Sequence, residues 1–389
     1  VLDRVVIKNY RCLVDVGVDL APFTVLIGPN DSGKSTFLKS LELLGRLLNP
    51  TKQERDSELV NVTKELLENS TRLDKSLDVS IALESHSPVP FQYSVIASRN
   101  SATEQFIRIR GDELRLPQKD QNRGSKPNKY PYRFASLDPS SLKNQSVFAH
   151  LCRLSEKVDA DLLAIREAVK ISAPYRFSPD EMRKPSAPSD EPLSAAGSNL
   201  AAALHAMLTS ADRDAVISLE KSLNAAVPTL SNVSTPLNKT NSNQLNISFA
   251  LKGNERPPIT IGCKDVSDGA LILTAFLVLI YSHSDRVLLI EEPENSLHPS
   301  RLKSVIELLR KLTTGELGFA PCQVIITTHS PILLNCVEPS EVRVFQRRED
   351  GSTKVNRMDA MPEIETLSKE FSSGELWYLF GEDKLAPGN

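Results

Sequence analysis

With 389 residues the chain can bury a large core, and length alone suggests roughly two or three domain-sized units. A charged fraction of 24% beside a hydrophobic fraction of 40% is that of a globular protein and excludes disorder as the dominant state. The formal charge of -3 excludes a chain that is basic throughout, so nucleic acid would have to be met by a local basic patch.

In chain order, Val5 to Lys8 and Thr24 to Ile27 read as short strands, with Asp19 and Pro22 marking a turn region between them. Leucines at positions 38, 41, 44 and 48 predict a helix from Ser35 to Leu48, and Ser57 to Glu68 a second, shorter one. Leu77 to Ala82 and Phe91 to Ala97 alternate as half-buried strands do, with Gln105 to Ile109 continuing the sheet. Arg108 to Arg133 reads mostly as an exposed loop, Val147 to Ile171 as helix, and Pro174 to Pro192 as a linker or ordered loop. Helices follow at Asn199 to Leu208 and Asp212 to Ala226.

From Gln244 onward the pattern changes. Strands at Leu245 to Leu251 and Ile259 to Ile261 join through Gly253-Asn254. Helix then alternates with strand: Ala270 to Ser282, Val287 to Ile290, Arg301 to Leu312, Val324 to Thr328, then a strand at Val342 to Gln346. Apolar, near-continuous strands alternating with helices predict a parallel sheet covered on both faces. Neither a fixed repeat nor a sustained heptad appears, so no long coiled-coil arm is expected.

The segment Gly28-Pro-Asn30-Asp-Ser-Gly33-Lys34-Ser35-Thr36 fits the phosphate-binding Walker A pattern and lies where that pattern has meaning, between a strand and a helix. Its glycines let backbone N–H groups face a phosphate, and the helix start adds positive partial charge. Lys34 is placed to neutralise β/γ-phosphate charge, Ser35 to ligate magnesium and Thr36 to reach the α-phosphate; Asn30 and Gly33 complete the cradle. A plain glycine turn before a helix is the competing reading.

Val287-Leu-Leu-Ile290-Glu291-Glu292 is a hydrophobic strand ending in two acids, at the strand end where α/β sheets bind ligands. Glu291 is placed to hold magnesium, directly or through water, and Glu292 to accept a proton from the attacking water. Alone, the pair reads equally well as solvated acids. His329, ending the strand from Val324, is either a packed or capping residue or a neutral hydrogen-bond donor to a γ-phosphate. Ser267, opening the apolar helix through Asp268 and Gly269, is either an ordinary N-cap or part of a helix start that faces a nucleotide held by another subunit.

The order of these motifs resembles the ABC-type ATPases of the RecF, SMC and OLD group, more narrowly the stand-alone AAA15 or AAA21 ATPases of prokaryotic defence type. Ile7-Lys-Asn-Tyr10-Arg11 resembles their opening strand and turn, which puts Arg11 near the nucleotide. Val266-Ser267-Asp268-Gly269 resembles their short signature, in place of the longer Leu-Ser-Gly-Gly-Gln of transporters. Glu291-Glu292-Pro293-Glu294-Asn295-Ser-Leu-His298-Pro299 is similar to their Walker B and D-loop, and His329 to their switch histidine. Gln92 and Gln105 are both candidates for their Q-loop glutamine. Gly197-Ser-Asn-Leu200 is similar to a segment in the middle of such chains.

The resemblance implies an α/β P-loop fold of ABC type: a two-lobed head with a mixed or parallel sheet core and a mainly helical second lobe. The core would comprise residues 1–50 and 244–389, and residues 51–243 would supply inserted strands and the helical lobe. It implies ATP and Mg2+ as cofactors and ATP hydrolysis at a site completed by a second copy, in a homodimer or higher oligomer. The biological role it implies is the ATPase or sensor of an anti-phage defence system controlling an effector nuclease. The alternative is a RecF-like repair or recombination clamp on DNA.

Several classes are disfavoured. Asn238-Lys-Thr-Asn241 lacks the final Asp of a guanine-reading motif, and the gap of about 230 residues between Lys34 and Ser267 exceeds that of transporter subunits. The roughly 60 residues after His329 are too few for a TOPRIM nuclease domain, so the nuclease is expected as a separate partner. Glu349-Asp350 and Glu382-Asp383 read as solvated charge on turns. Cys12, Cys152, Cys263, Cys322 and Cys336 lack C-x-x-C spacing and suit a reducing cytoplasm. The start Val-Leu-Asp-Arg has no signal-peptide core, and the apolar run Ala270 to Tyr281 is too short to span a bilayer, so a cytoplasmic protein without a membrane partner is expected. The basic residues Arg108, Arg110, Arg115, Lys119, Arg123, Lys126, Lys129 and Arg133 are interspersed with acids and form either a solvated loop or a contact for DNA, RNA or protein.

Overall fold

The computed structural model describes residues 1–49, 58–70, 78–86, 89–97, 104–109, 112–115, 160–238, 243–253, 259–295, 297–360, 364, 367 and 371–384. Most of the basic stretch after Ile109, the start of the helix expected from Val147, and Cys152 lie outside them.

In chain order the first strands are β1 (Arg4–Tyr10), β2 (Leu13–Asp19), β3 (Phe23–Ile27), β4 (Val79–Ser85), β5 (Phe91–Ala97), β6 (Glu104–Ile109) and β7 (Asp112–Arg115). They continue with β8 (Leu230–Ser234), β9 (Ser248–Leu251), β10 (Thr260–Gly262), β11 (Val287–Glu291), β12 (Gln323–Thr327), β13 (Val342–Arg347) and β14 (Thr353–Arg357). The helices are α1 (Lys34–Leu48), α2 (Glu58–Glu68), α3 (Ala160–Ala168), α4 (Pro179–Met182) and α5 (Leu200–Thr209). After them come α6 (Arg213–Ala226), α7 (Asp268–Ser282), α8 (Pro299–Thr314), α9 (Pro331–Leu334) and α10 (Ser373–Lys384). Two compact units result: Val1–Ala21, Pro29–Ile171 and Phe345–Asn356 form one, and Pro22–Gly28, Ser172–Val344 and Arg357–Asn389 the other.

The first unit is built on a six-stranded sheet in the order β2-β1-β4-β5-β6-β7, whose neighbours run antiparallel. Strict alternation of buried and half-buried residues along β4 and β5 gives the sheet one core face. Helix α1 buries Phe37, Leu38, Leu41, Leu44 and Leu48, and Phe37 meets Phe345 edge-on at 5.8 Å. Strand β2 adds an element to those expected, and the turn marked by Asp19 and Pro22 connects it to β3. The Asp and Gly residues of β2 lower strand propensity, but Leu13, Val16 and Val18 point inward while Asp19 pairs outward with Arg4 at 3.1 Å. Arg11 in the β1–β2 turn takes φ of 52°, the left-handed conformation such a tight reversal demands.

The second unit centres on β11-β12-β3, paired in parallel, with the start of β13 (Val342–Val344) parallel to β3. Residues of β3 and β12 are buried at every position, as expected for strands covered on both faces. Strand β11 would be an exposed edge, but Ser172 and Tyr175 hydrogen-bond along it: Ser172 N–H donates to the Val287 carbonyl at 2.9 Å and Tyr175 N–H to that of Leu289 at 2.8 Å. The Pro/Ser-rich stretch from Pro174 is therefore an ordered loop, with Tyr175 and Met182 in the core. Tyr175 lies so deep that burial drives its phenol far above the usual range.

Helices α5, α6 and α7 and the antiparallel sheet β10-β9-β8 complete this unit. Strand β8 was not legible in Leu-Ser-Asn-Val-Ser, which carries only two core residues. Helix α7 is buried from Gly269 to Tyr281, so it shows no polar face. Glu349-Asp350 lies in the turn after β13, whereas Glu382-Asp383 belongs to α10, correcting the turn expected there. Among the described residues no helix is long and apolar enough to cross a membrane.

Candidate nucleotide site

In the first unit the glycine loop ends at Gly33, whose φ of 105° caps α1 without a side chain. A Cβ there would approach Cys12 Sγ and Thr353 Oγ1 at 3.0 Å and Leu13 Cδ2 at 3.1 Å, so both conformation and space require glycine. Asp31 is also left-handed, with φ of 63°. Lys34, the first residue of α1, is buried and its ammonium donates to the Pro29 carbonyl at 2.8 Å, curling back over the loop. Ser35 and Asn30 are exposed and Thr36 half-buried. Arg11 stands in the β1–β2 turn, whose Cys12 packs near Gly33, and its Nε donates to Asn69 Oδ1 at 2.9 Å. Its guanidinium lies 5.8 Å from the ring centre of Tyr10, whose phenol burial pushes up to about 12. The Q-loop candidates lie on adjacent strands of this unit, Gln92 bonded to Glu84 at 2.9 Å on β5 and Gln105 on β6.

In the second unit the parallel register brings three strand ends to one edge. Glu291 pairs with Thr327 and Thr327 with Leu26, so the sheet delivers Glu291, Thr328 and Gly28 together. Thr328 N–H donates to the Leu26 carbonyl at 3.1 Å and Glu292 N–H to that of Thr327 at 2.9 Å. Glu292 takes φ of 48°, uncommon for a residue with a side chain, so the chain turns sharply off β11 at the second acid. Its Oε2 accepts from Asn295 Nδ2 at 2.9 Å and from Arg176 Nη2 at 3.2 Å. Arg176 Nη1 lies 4.0 Å from Glu291 Oε2, but this guanidinium is 62% exposed, so the pair is worth little to stability. Glu294 Oε1 accepts from the Thr328 hydroxyl and from His329 N–H, each at 2.8 Å, tying the loop after β11 to His329.

The signature segment rests on other contacts in the same unit. Ser267 caps α7, its Oγ accepting from Ala270 N–H at 3.3 Å. Arg183, directly after α4, donates to the Cys263 carbonyl at 3.2 Å, the Val266 carbonyl at 3.0 Å and Asp268 Oδ1 at 2.6 Å. Ser267 and Asp268 are exposed and Gly269 is buried. Thus Glu291, Glu292 and His329 gather at one sheet edge, Lys34 and Ser35 begin the helix after the loop, Arg11 turns its side chain to Asn69 instead, and Ser267 and Gly269 are held by a third set of bonds. Sequence reasoning missed Arg176, Arg183 and Thr353. Each acts on backbone or a carboxylate far away in the chain, which leaves no local spacing to find.

A family model described as "AAA domain, putative AbiEii toxin, Type IV TA system" matches residues 23–335. An OLD nuclease of Thermus scotoductus is 44% identical over 43 residues, 11% of this chain and only 8% of that protein. Among solved structures, the SmcHead bound to the C-winged helix domain of ScpA is similar, with TM-score 0.53 at 14% identity, covering 91% of this chain and 97% of that one. The SMC head domain from Thermotoga maritima gives TM-score 0.47 at 10% identity, covering 92% and 98%. The fold is therefore the α/β P-loop fold of SMC-type ATPase heads.

Proposed function

The chain belongs to that AAA-domain family, within the SMC and OLD group of ABC-type ATPases, and on that premise we propose that it hydrolyses ATP and closes on a second copy as it does so. The observation that carries the reading is the register of β11, β12 and β3, which delivers two acids, a histidine and the first glycine of the phosphate loop to one sheet edge. In this reading the loop's N–H groups and Lys34 bind the β- and γ-phosphates, and Thr36 and Asn30 line the cradle. Glu292 accepts the proton of the attacking water, and His329 donates a hydrogen bond to the γ-phosphate. Ser35, an exposed residue, and Glu291 offer hard oxygen donors of the kind magnesium takes. Bound there, magnesium would neutralise phosphate charge. Arg11, held by Asn69 in the turn whose Cys12 packs near Gly33, would leave that bond to reach the nucleotide, and Ser267 with the start of α7 completes the site of the other copy.

The biological role proposed is the ATPase of a prokaryotic anti-phage defence system that controls an effector nuclease. Its support is the toxin–antitoxin wording of the family description and the OLD nuclease among the relatives. Titration of ATP against purified protein tests the biochemical core. Lys34→Ala should abolish measurable ATP binding, and unchanged affinity would sink the assignment. Pull-down from the native host, with and without ATP, tests the role. A stable nuclease partner is the expected result. ATP-dependent, salt-sensitive DNA binding without such a partner would replace it with a RecF-like clamp.

A further inference from the structure

A loop that wraps an anion turns its N–H groups inward, so its carbonyls face outward and must find donors of their own. In the first unit those donors come from residues far along the chain. Arg347 Nη1 donates to the Asp31 carbonyl at 3.0 Å across 316 positions. Thr353 Oγ1 donates to the Ser32 carbonyl at 2.8 Å across 321 positions, with both residues buried. The backbone N–H of Thr353 donates to the Cys12 carbonyl at 2.9 Å, so the same residue holds the turn that packs near Gly33.

The geometry has a direct consequence. The Ser32 carbonyl and the Gly33 N–H belong to one rigid peptide plane, so fixing the first aims the second. The Asp31–Ser32 peptide is held at both ends, its carbonyl by Arg347 and its N–H by the Pro29 carbonyl at 3.2 Å, which braces the loop beside it. We propose that Thr353, supported by Arg347, is a positioning residue for nucleotide binding: its hydroxyl orients the Ser32–Gly33 peptide before phosphate arrives. The inference rests on reading the loop as a nucleotide site. Preorganisation of this kind raises affinity because the ordering cost is met before binding.

Calorimetric titration of ATP and ADP into the full chain, with hydrogen exchange of the nucleotide-free loop, tests it. Thr353→Val keeps the shape but loses the donor, and should weaken ATP binding by roughly tenfold. Thr353→Ser keeps the hydroxyl and should stay within about threefold. Val79→Ala, in the buried sheet of the same unit, lowers stability without touching the loop and should keep its affinity. Loop amides should exchange faster in Thr353→Val than in the wild type or Val79→Ala. Should Thr353→Val not fold, Arg347→Ala removes the bond to Asp31 from an exposed position, with weaker ATP binding and faster loop exchange again expected. Wild-type affinity in Thr353→Val, an equal loss in Val79→Ala, or unchanged loop exchange would overturn the proposal. A wild-type protein that binds neither nucleotide would instead remove the nucleotide reading, and exchange alone would then decide whether Thr353 holds the loop.

Discussion

One oxygen of Glu294 accepts two hydrogen bonds, while Oε2, buried, accepts none. Burying a carboxylate oxygen without a donor is costly, so the bonds made by the other oxygen have to repay it. Those bonds fix the Thr328 hydroxyl and His329 N–H, which makes Glu294 a positioning residue for His329 if that histidine contacts phosphate. Glu294→Ala should lower kcat for ATP by up to about a hundredfold, the scale of a misplaced catalytic group. Glu294→Gln, which retains an acceptor oxygen, should recover most of it. A double mutant cycle decides: adding Glu294→Ala to His329→Ala should cost little more than His329→Ala alone, and multiplicative losses would separate the two residues. The motif residues around it were legible because phosphate chemistry prescribes residue type and spacing. Arg176 and Arg183 were not, because a guanidinium reaching a carboxylate or carbonyl from a distant loop obeys no spacing rule.

Helix α7 shows what burial does to an element and to its end. Its 13 buried residues run from Gly269 to Tyr281, and the chain leaves it at His283. The imidazole packs edge-on to Phe319 at 5.9 Å, with Nδ1 3.0 Å from the Ile280 carbonyl. Burial pushes its pKa below 6.5; the Ile280 bond opposes this and Arg286 adds to it. The folded state therefore binds fewer protons than the unfolded one, so this contribution is fully present above the unfolded pKa and is lost as pH falls through the folded one. Urea denaturation should show stability falling as the pH drops below about 6.5, the ordinary histidine value. His283→Gln should reduce that slope, and an unchanged slope would place the pH dependence elsewhere. The helix itself was easy to read, since an apolar run of this length has few other fates. Strands β2 and β8 were not, because short segments rich in Asp, Gly, Ser or Asn become strands only through the partners they find. The ordered path of Ser172 to Tyr175 was hidden for the same reason: its structure comes from β11, over 100 residues later.

At the scale of the whole molecule, the parallel sheet and its motif order could be read directly, because consecutive apolar strands and helices leave few topologies. The division into two units cuts across the sequence, with residues 345–356 joining the first unit rather than their neighbours. Only packing could reveal that. It matters for assembly, because the proposed site of one copy needs the start of α7 from another. Glu292→Gln separates binding from turnover: the amide preserves the size of the side chain and can still accept from Asn295, but it cannot take a proton from water. Hydrolysis should fall by roughly a hundredfold or more, while ATP affinity holds. The ATP-bound form should then accumulate as a dimer, with a light-scattering mass near twice 42.9 kDa in the presence of magnesium and ATP. Adding Ser267→Arg should return that variant to the monomer mass by placing a bulky side chain at the exposed start of α7. Normal turnover in Glu292→Gln would remove Glu292 from proton transfer. A monomer with ATP fully bound would show instead that each copy completes its own site, and that Ser267 is only the cap of its helix.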